Sequence, residues 1–375
     1  MIDFERQIEI FKLIGKSLKV DIKCYAIGGT AMLFLGLKDS TKDVDLVFEN
    51  ENERNLMKKE LKGKVDKIYE DKVGNFISVK GKGKLKILLT AHMDEIGFMV
   101  KYITEKGFIK LNPVGGWDPK ILPSQRVKIY TDKGTVNGVI GTKAVHLQEK
   151  EEADKPIKLK QIFVDIGAKD RKDVEKAGVK VGDYVEVVGD FIELRGNKVA
   201  GRCFDNRISC VVLTEVMKRI KPKGITVYGV GTTQEEVGLK GARGPMFGLN
   251  PDVIITLDTE IAGDHPLMEE DDAPLKLGAG AVIGLQDLSY VMDKRLKKLF
   301  LDTTKKNKIP HQLGVASGGT TEATLAILTR EGKPGGLIAV PVRYLHTTVE
   351  TADINDIESA IKLLVKSLES INKYF

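Results

Sequence analysis

The chain has 375 residues, of which 42% are hydrophobic and 30% are charged, and its formal net charge at pH 7 is +6. These values are typical of a soluble globular protein with a full core, and they exclude a disordered chain. The lysines are scattered among acidic residues and do not alternate with aromatic residues, so we expect no nucleic-acid partner.

The first 50 residues differ in character from the rest of the chain. Apolar residues with helical spacing are followed by Gly28-Gly29, and then by Asp43 and Asp45 in an apolar, strand-like segment. This pattern resembles the core motif of the nucleotidyltransferase superfamily, in which the glycine turn approaches a nucleotide phosphate and the aspartates hold Mg²⁺. That family has a third carboxylate and a longer domain, so we interpret residues 1–50 as a truncated α/β fragment.

Strand-like and helix-like segments alternate in residues 53–100 and again in residues 189–375. Such alternation predicts an α/β fold with a mostly parallel sheet that helices cover on both faces. Residues 101–188 contain short alternating strands separated by turn glycines, which predicts a small β-barrel or sandwich. The expected organisation is therefore the fragment 1–50, a main domain of residues 53–100 and 189–375, and the insert 101–188.

His92 follows the first strongly apolar run of the main domain. Asp94 lies two residues later, on the same side of an extended chain, and can accept a hydrogen bond from the ring nitrogen that binds no metal. Taken alone, this pair is more typical of a core histidine with a local carboxylate partner than of a metal site.

Asp205 precedes Asn206-Arg207 at the predicted start of a helix, and it has two interpretations. Its carboxylate can cap the first turn of the helix, or it can bridge two metal ions through its two oxygens. On this segment alone, the sequence favours the cap.

The adjacent pair Glu235-Glu236 follows an apolar run at residues 226–231. Adjacent carboxylates repel each other, so a buried pair requires nearby cations. One of the two can bind a metal while the other accepts a proton from an attacking water.

Asp258 and His346 each follow a further apolar strand. A bare aspartate there is costly without a partner or a metal, and in parallel sheets ligands gather at the carboxyl ends of strands. Together with His92, Asp205 and the glutamate pair, these residues supply two imidazoles, three metal-binding carboxylates and one spare carboxylate. That set suits two divalent ions and a general base.

In this order, these segments make the chain from about residue 53 to residue 375 similar to the glutamyl aminopeptidase and deblocking aminopeptidase family, which includes the tetrahedral (TET) aminopeptidases. The similarity rests on residues 91–97, 205–207, 233–238, 258–259 and 343–346. It implies a peptidase that removes N-terminal residues from short peptides with two divalent ions per subunit, zinc or cobalt. It also implies that the insert is a dimerisation domain, and that the chain forms homo-oligomers from a dimer up to a tetrahedral dodecamer.

The resemblance further implies a role for each site residue. His92 and His346 each hold one ion, and Asp205 bridges the two. Glu235 is the general base for attack by a metal-bridging water, and Asp94 orients His92. The implied metal ligands are His92, Asp205, Glu236, Asp258 and His346.

The chain departs from the family at two places. The usual N-terminal segment is replaced by residues 1–50, and Thr321 stands where the family has an aspartate, with Glu322 one residue later. The loop around Thr321 borders the substrate pocket in the family, so the preferred N-terminal residue cannot be copied from a relative. The expected substrate-binding residues are Gly318, Gly319, Thr320, Thr321 and His265.

Two other functions compete with the peptidase. A glycan hydrolase needs two metal-free carboxylates along a sugar-binding cleft, whereas here the acids accompany histidines and Trp117 is the only tryptophan. The other is a non-catalytic nucleotide-binding or scaffold protein, which would depend on Asp43 and Asp45.

The chain shows no signal peptide and no apolar run long enough to span a bilayer, so we expect a cytoplasmic protein without a membrane partner. Its cysteines, Cys24, Cys203 and Cys210, lack a CxxC spacing, and we expect reduced thiols.

Overall fold

The computed structural model describes residues 51–149 and 155–375. The predicted nucleotidyltransferase-like fragment, with Asp43 and Asp45, lies outside the described residues. Within the described ranges, no helix is long and apolar enough to cross a membrane.

The strands and helices alternate along the chain much as the apolar periodicity predicts. The strands are β1 (Lys67–Glu70), β2 (Phe76–Lys80), β3 (Leu85–His92), β4 (Gly97–Ile103), β5 (Ile109–Val114), β6 (Arg126–Thr131), β7 (Gly134–Gly141), β8 (Phe163–Asp165), β9 (Tyr184–Val187), β10 (Ile192–Glu193), β11 (Lys198–Gly201), β12 (Ile225–Thr232), β13 (Val253–Ile261), β14 (Ala281–Gln286), β15 (His311–Val315), β16 (Gly335–Arg343) and β17 (Glu350–Asp353). The α-helices are α1 (Glu51–Leu61), α2 (Arg171–Lys176), α3 (Phe204–Arg219), α4 (Lys240–Leu249), α5 (Lys294–Asn307), α6 (Thr324–Leu328) and α7 (Ile354–Leu368).

A central sheet of eleven strands runs in the order β1-β2-β12-β3-β13-β16-β17-β11-β10, with β14 and β15 attached beside β16. The strands β12, β3, β13 and β16 pair in parallel, and antiparallel strands flank them on both sides. Parallel strands in the middle of a sheet are buried on both faces, which explains their nearly continuous apolar sequences.

Helices cover both faces of this sheet. One face packs against α1, α3, α5 and α7 through a large apolar cluster, and the other packs against α4 and α6 through a smaller one. The predicted α/β class with helix-covered faces is therefore confirmed, with the parallel pairing concentrated at the centre.

Six strands close a small antiparallel barrel in the order β4-β5-β8-β7-β6-β9. Its interior is a separate apolar cluster that includes Phe98, Ile109, Leu122 and Ile129, none of which is more than 1% exposed. The predicted inserted barrel is thus confirmed, while the boundaries at residues 101 and 188 stay a prediction.

The end of β12 is fastened to the start of α4. The side-chain amide of Asn75 donates to the carbonyl of Gly241 at 2.9 Å, and its oxygen accepts the N–H of Thr233 at 2.9 Å. A Cβ at Gly241 would lie 1.9 Å from the carbonyl oxygen of Thr233. A glycine is therefore required where α4 meets the segment that leads to Glu235.

Replacing Gly241 tests this packing. We expect Gly241→Ala to lower stability by about 3 kcal/mol, because the added methyl must displace the backbone at Thr233. Gly248→Ala is a matched control on the same helix, since a Cβ there meets nothing within 4 Å. Thermal unfolding of both variants measures the difference, and equal melting temperatures would contradict the packing argument.

Candidate metal centre

Three groups of ligand atoms lie at the carboxyl edge of the parallel strands, and within each group the atoms lie within 4.8 Å of one another. They are His92, Asp205 and Asp258; Asp205, Glu236 and His346; and His92, Glu235 and Glu236. Asp205 belongs to the first two. The structure therefore brings together all five residues that the sequence assigns to metal binding.

Asp205 lies between the two imidazoles. Its Oδ1 is 3.1 Å from His92 Nε2, and its Oδ2 is 3.4 Å from His346 Nε2. The backbone of Asp205 is not helical (φ −78°, ψ 106°), although it stands within the first turn of α3, whose N-cap is Cys203. The carboxylate faces the two rings, so this geometry favours the bridging interpretation over the helix cap.

His92 is 2% exposed and its ring is held from one side by residue 94. Its Nδ1 lies 3.1 Å from the backbone carbonyl oxygen of Asp94 and 3.6 Å from the carboxylate oxygen Oδ1. The closer partner is thus the carbonyl and not the carboxylate. Because a carbonyl only accepts, Nδ1 carries a proton, and Nε2 is the ring nitrogen directed toward Asp205.

The carboxylate of Asp94 has another task. It accepts the backbone N–H of Glu235 and that of Glu236, each at 3.1 Å. This fixes the turn after β12, where Glu236 Oε1 lies 3.8 Å from His346 Nε2 and Glu235 Oε2 lies 3.9 Å from His92 Nε2. The adjacent glutamates therefore serve opposite sides of the cluster.

Negative charge accumulates in this cluster. Burial raises the pKa of Glu235, Glu236 and Asp258, and neighbouring carboxylates raise it further, so that of Glu236 reaches about 7. Burial opposes ionisation of Asp205 as well, but the two imidazoles lower its pKa. Each ion pair seen for these four carboxylates in the described residues is with a histidine.

The neighbouring carboxylates raise the pKa values of both histidines. Burial alone would lower the pKa of His346, yet Asp205 and Glu236 raise it to about 9, and the pKa of His92 also lies well above its usual value.

The donor set fits divalent cations. Asp205 Oδ1 is buried and accepts no hydrogen bond among the described residues, although it lies 3.1 Å from an imidazole nitrogen. A metal ion bound by both the carboxylate and the imidazole would explain why these two groups lie so close without a hydrogen bond. Imidazole and carboxylate ligands suit zinc and its neighbours in the first transition row.

Two further buried glutamates lie at the cluster: the sequence analysis did not name Glu350, and it named Glu322 only as the neighbour of Thr321. Glu350 is 2% exposed, and its carboxylate accepts the N–H of His346 at 2.8 Å and that of Asp205 at 3.1 Å. Glu322 is 1% exposed and accepts the hydroxyl of Thr232 at 2.6 Å. Burial raises the pKa of Glu350 to about 8 and that of Glu322 to about 7. Neither stands at the end of an apolar strand, which was the signal that found the others.

The predicted substrate loop is tied to another segment. The N–H and hydroxyl of Thr321 both donate to Asp287 at 3.2 Å, Gly319 accepts the N–H of Leu288, and Thr320 contacts Ser289. The role of Gly318, Gly319, Thr320 and Thr321 in substrate binding stays a prediction.

His265 is nearer in sequence to a proposed metal ligand, Asp258, than the residues of this loop are. Its ring centroid is 5.4 Å from that of Tyr344, two residues before His346. Its substrate-binding role likewise stays a prediction.

Comparisons with known proteins give a consistent result. A family model described as M42 glutamyl aminopeptidase matches residues 74–363. The lysyl aminopeptidase of Pyrococcus furiosus is 32% identical over 326 residues, which are 86% of this chain and 93% of that protein.

Solved structures agree. The TET aminopeptidase from the marine sediment archaeon Thaumarchaeota archaeon SCGC AB-539-E09 is 34% identical with a TM-score of 0.82, covering 86% of this chain and 92% of that chain. The Pyrococcus horikoshii TET1 peptidase, described as assembling into a tetrahedron or a large octahedral shell, is 32% identical with a TM-score of 0.75, covering 84% and 92%.

The charge of the cluster predicts how the metal-free protein responds to pH. Because the pKa values of Glu236, Glu350 and His346 are raised to about 7, 8 and 9, the folded chain binds more protons than the unfolded chain at neutral pH. Stability should therefore fall as the pH rises from about 6 to about 9, where these protons are released.

Thermal unfolding of metal-stripped protein across this range measures the effect. Protein loaded with zinc should show a weaker or reversed trend, since metal ligands must be deprotonated. A melting temperature of the stripped protein that rises with pH would contradict the electrostatic account.

Proposed function

Since this chain belongs to the M42 glutamyl aminopeptidase family, we propose that the cluster around Asp205 removes N-terminal residues from short peptides. The chain is a peptidase by its family and by the relatives it matches. The observation that carries the assignment of the active site is the carboxylate of Asp205, with one oxygen toward each of two imidazoles.

The proposed cofactor is a pair of divalent ions, zinc or cobalt. M42 peptidases depend on metal, and this chain has the candidate ligands. His92 and Asp258 would hold one ion, Glu236 and His346 the other, and Asp205 would be shared. When bound, the ions would supply Lewis acidity that polarises the scissile carbonyl and lowers the pKa of the attacking water.

Glu235 is the proposed general base. It is mostly buried, and it stands beside a proposed ligand, Glu236, with its own carboxylate 3.9 Å from His92 Nε2. Burial raises its pKa, which favours proton capture by its carboxylate. Glu235 takes the proton of the attacking water and passes it to the leaving amine, while Asp94 holds the backbone of both glutamates in place.

The geometry disfavours a glycan hydrolase. Such an enzyme uses two metal-free carboxylates on either side of the scissile bond, about 5–9.5 Å apart. Here the carboxylates surround histidines instead. Trp117 stacks on Phe98 at 5.2 Å between ring centroids and packs against the barrel core.

The non-catalytic alternative depends on Asp43 and Asp45, which lie outside the described residues. It gains no support from the described residues, which bring candidate metal ligands together.

The proposed quaternary structure is a homo-oligomer, ranging from a dimer to a tetrahedral dodecamer. Its support is the similarity to the Pyrococcus horikoshii TET1 peptidase, which assembles into closed shells.

Glu235→Gln tests the general base. We expect turnover of aminoacyl reporter substrates to fall by about 10²–10⁴-fold, because the amide cannot accept the proton. Metal content should stay at the wild-type value, since the side chain keeps its size. Glu193→Gln, on the exposed strand β10, is the matched control. Wild-type turnover by Glu235→Gln would exclude the proposed role.

Asp205 and Asp258 can be separated by metal titration. Asp205→Asn should weaken binding of both ions, whereas Asp258→Asn should weaken only the ion near His92. At each affected position, metal affinity should fall by more than the roughly 10–100-fold that is typical when a residue hydrogen-bonded to a metal ligand is removed. Calorimetry of stripped protein measures both affinities. Loss of a single ion in Asp205→Asn would mean that its carboxylate is not shared.

A further inference from the structure

The barrel touches the metal cluster through the turn after β5. The carbonyl oxygen of Gly116 lies 2.8 Å from His346 Nδ1, although the two residues are 230 positions apart in the chain. The inserted barrel therefore supplies a hydrogen-bond partner to a proposed metal ligand of the main domain.

Glycine at both positions of the turn permits this close approach. A Cβ at Gly116 would lie 3.1 Å from His346 Nδ1 and 3.4 Å from its Cε1. Gly115 has φ +75°, and a Cβ there would lie 2.5 Å from Ile96 Cγ2 and 3.0 Å from Glu236 Oε2. Two ligands of the same proposed ion, His346 and Glu236, thus pack directly against the turn.

The hydrogen bond fixes the form of the His346 ring. A carbonyl only accepts, so Nδ1 must carry a proton, and Nε2 is then the ring nitrogen available to a metal, 3.4 Å from Asp205 Oδ2. The same partner holds the plane of the ring, because the bond runs along the direction of Nδ1–H.

His92 and His346 differ in how strongly the surrounding residues enclose their rings. The side chain of His92 is 2% exposed and is enclosed by the core, whereas that of His346 is 34% exposed. His346 also has a left-handed backbone (φ 60°) in the loop between β16 and β17, and its N–H is held by Glu350. The ring of His346 is therefore oriented mainly by Gly116 and not by burial.

The barrel is itself held against this part of the main domain. Arg202 pairs with Glu186 of β9 at 3.4 Å, and its other nitrogen pairs with Glu95. Tyr130 of β6 donates to the same Glu186. Arg202 stands three residues before Asp205, so these charged contacts couple the position of the barrel to the segment that carries the shared ligand.

We propose that the Gly115-Gly116 turn is a positioning element for one of the two metal positions. The Gly116 carbonyl fixes the tautomer and orientation of His346, so the barrel sets the affinity for the ion held by His346 and Glu236, and not for the ion held by His92 and Asp258. This inference rests on the proposed function, because it concerns the ions assigned there.

Gly116→Ala tests the inference directly. The added methyl crowds the His346 ring, and it meets no atom of His92 within 4 Å. Calorimetric titration of stripped protein with zinc should show one affinity reduced by about 10–100-fold and the other unchanged. The control is Gly248→Ala, which adds a methyl to open space and should bind both ions as the wild type does.

A spectroscopic measurement keeps the inference testable if Gly116→Ala fails to fold. Wild-type protein with ¹⁵N-labelled histidine and bound zinc should show His346 protonated at Nδ1 and metal-bound at Nε2. The His346→Asn variant assigns the signal among the five histidines of the chain. Metal binding through Nδ1 would overturn the inference.

The outcomes also separate this inference from the proposed function. If wild-type protein binds two ions and cleaves peptides, but Gly116→Ala weakens both ions equally or neither, the positioning role is wrong and the proposed function stands. If wild-type protein binds no ion, both are overturned.

Discussion

The constraint on which the site depends is buried negative charge that no lysine or arginine pairs with among the described residues. Four carboxylates, from Asp205, Glu235, Glu236 and Asp258, share a small volume with two imidazoles. Carboxylates in such surroundings either take up protons or require cations. The raised pKa values of Glu235, Glu236 and Asp258 correspond to the uptake of protons. The ligand geometry around Asp205 allows cations to bind instead.

Two further carboxylates hold the segments of the cluster in place, and each does so by accepting two backbone N–H groups. Asp94 accepts the N–H groups of Glu235 and Glu236, and Glu350 accepts those of Asp205 and His346. Asp94 thus ties the segment of His92 to the turn that carries the glutamate pair, and Glu350 ties the segment of Asp205 to that of His346, so the ligand side chains can face the cluster. The cost of burying two further acidic groups is offset by hydrogen bonds to the main chain.

The sequence predicted the residues that stand at strand ends, because strand periodicity and the rule for parallel sheets place them at one edge. His92 and Asp258 were found in this way, and the α/β class with its inserted barrel followed from the same patterns. The choice between a cap and a bridge for Asp205 depends on what lies across from it in space, and the segment alone favoured the wrong alternative. The family resemblance, not the segment, pointed to the bridge.

Contacts between distant parts of the chain could not be predicted. Glu350 and Gly116 carry no local signal of function, since each acts through a backbone group far away in sequence. The partner of His92 was predicted as the Asp94 carboxylate, but the carbonyl of the same residue is closer because the carboxylate turns toward the glutamate pair. The order of the strands in the sheet could not be predicted either, because β12 lies between β2 and β3 although it follows both in the chain.

Anomalous diffraction from crystals grown with zinc tests the central claim most directly. The account predicts two peaks about 3.5–4 Å apart, one beside each carboxylate oxygen of Asp205. A single peak, or two ions that do not share Asp205, would contradict it.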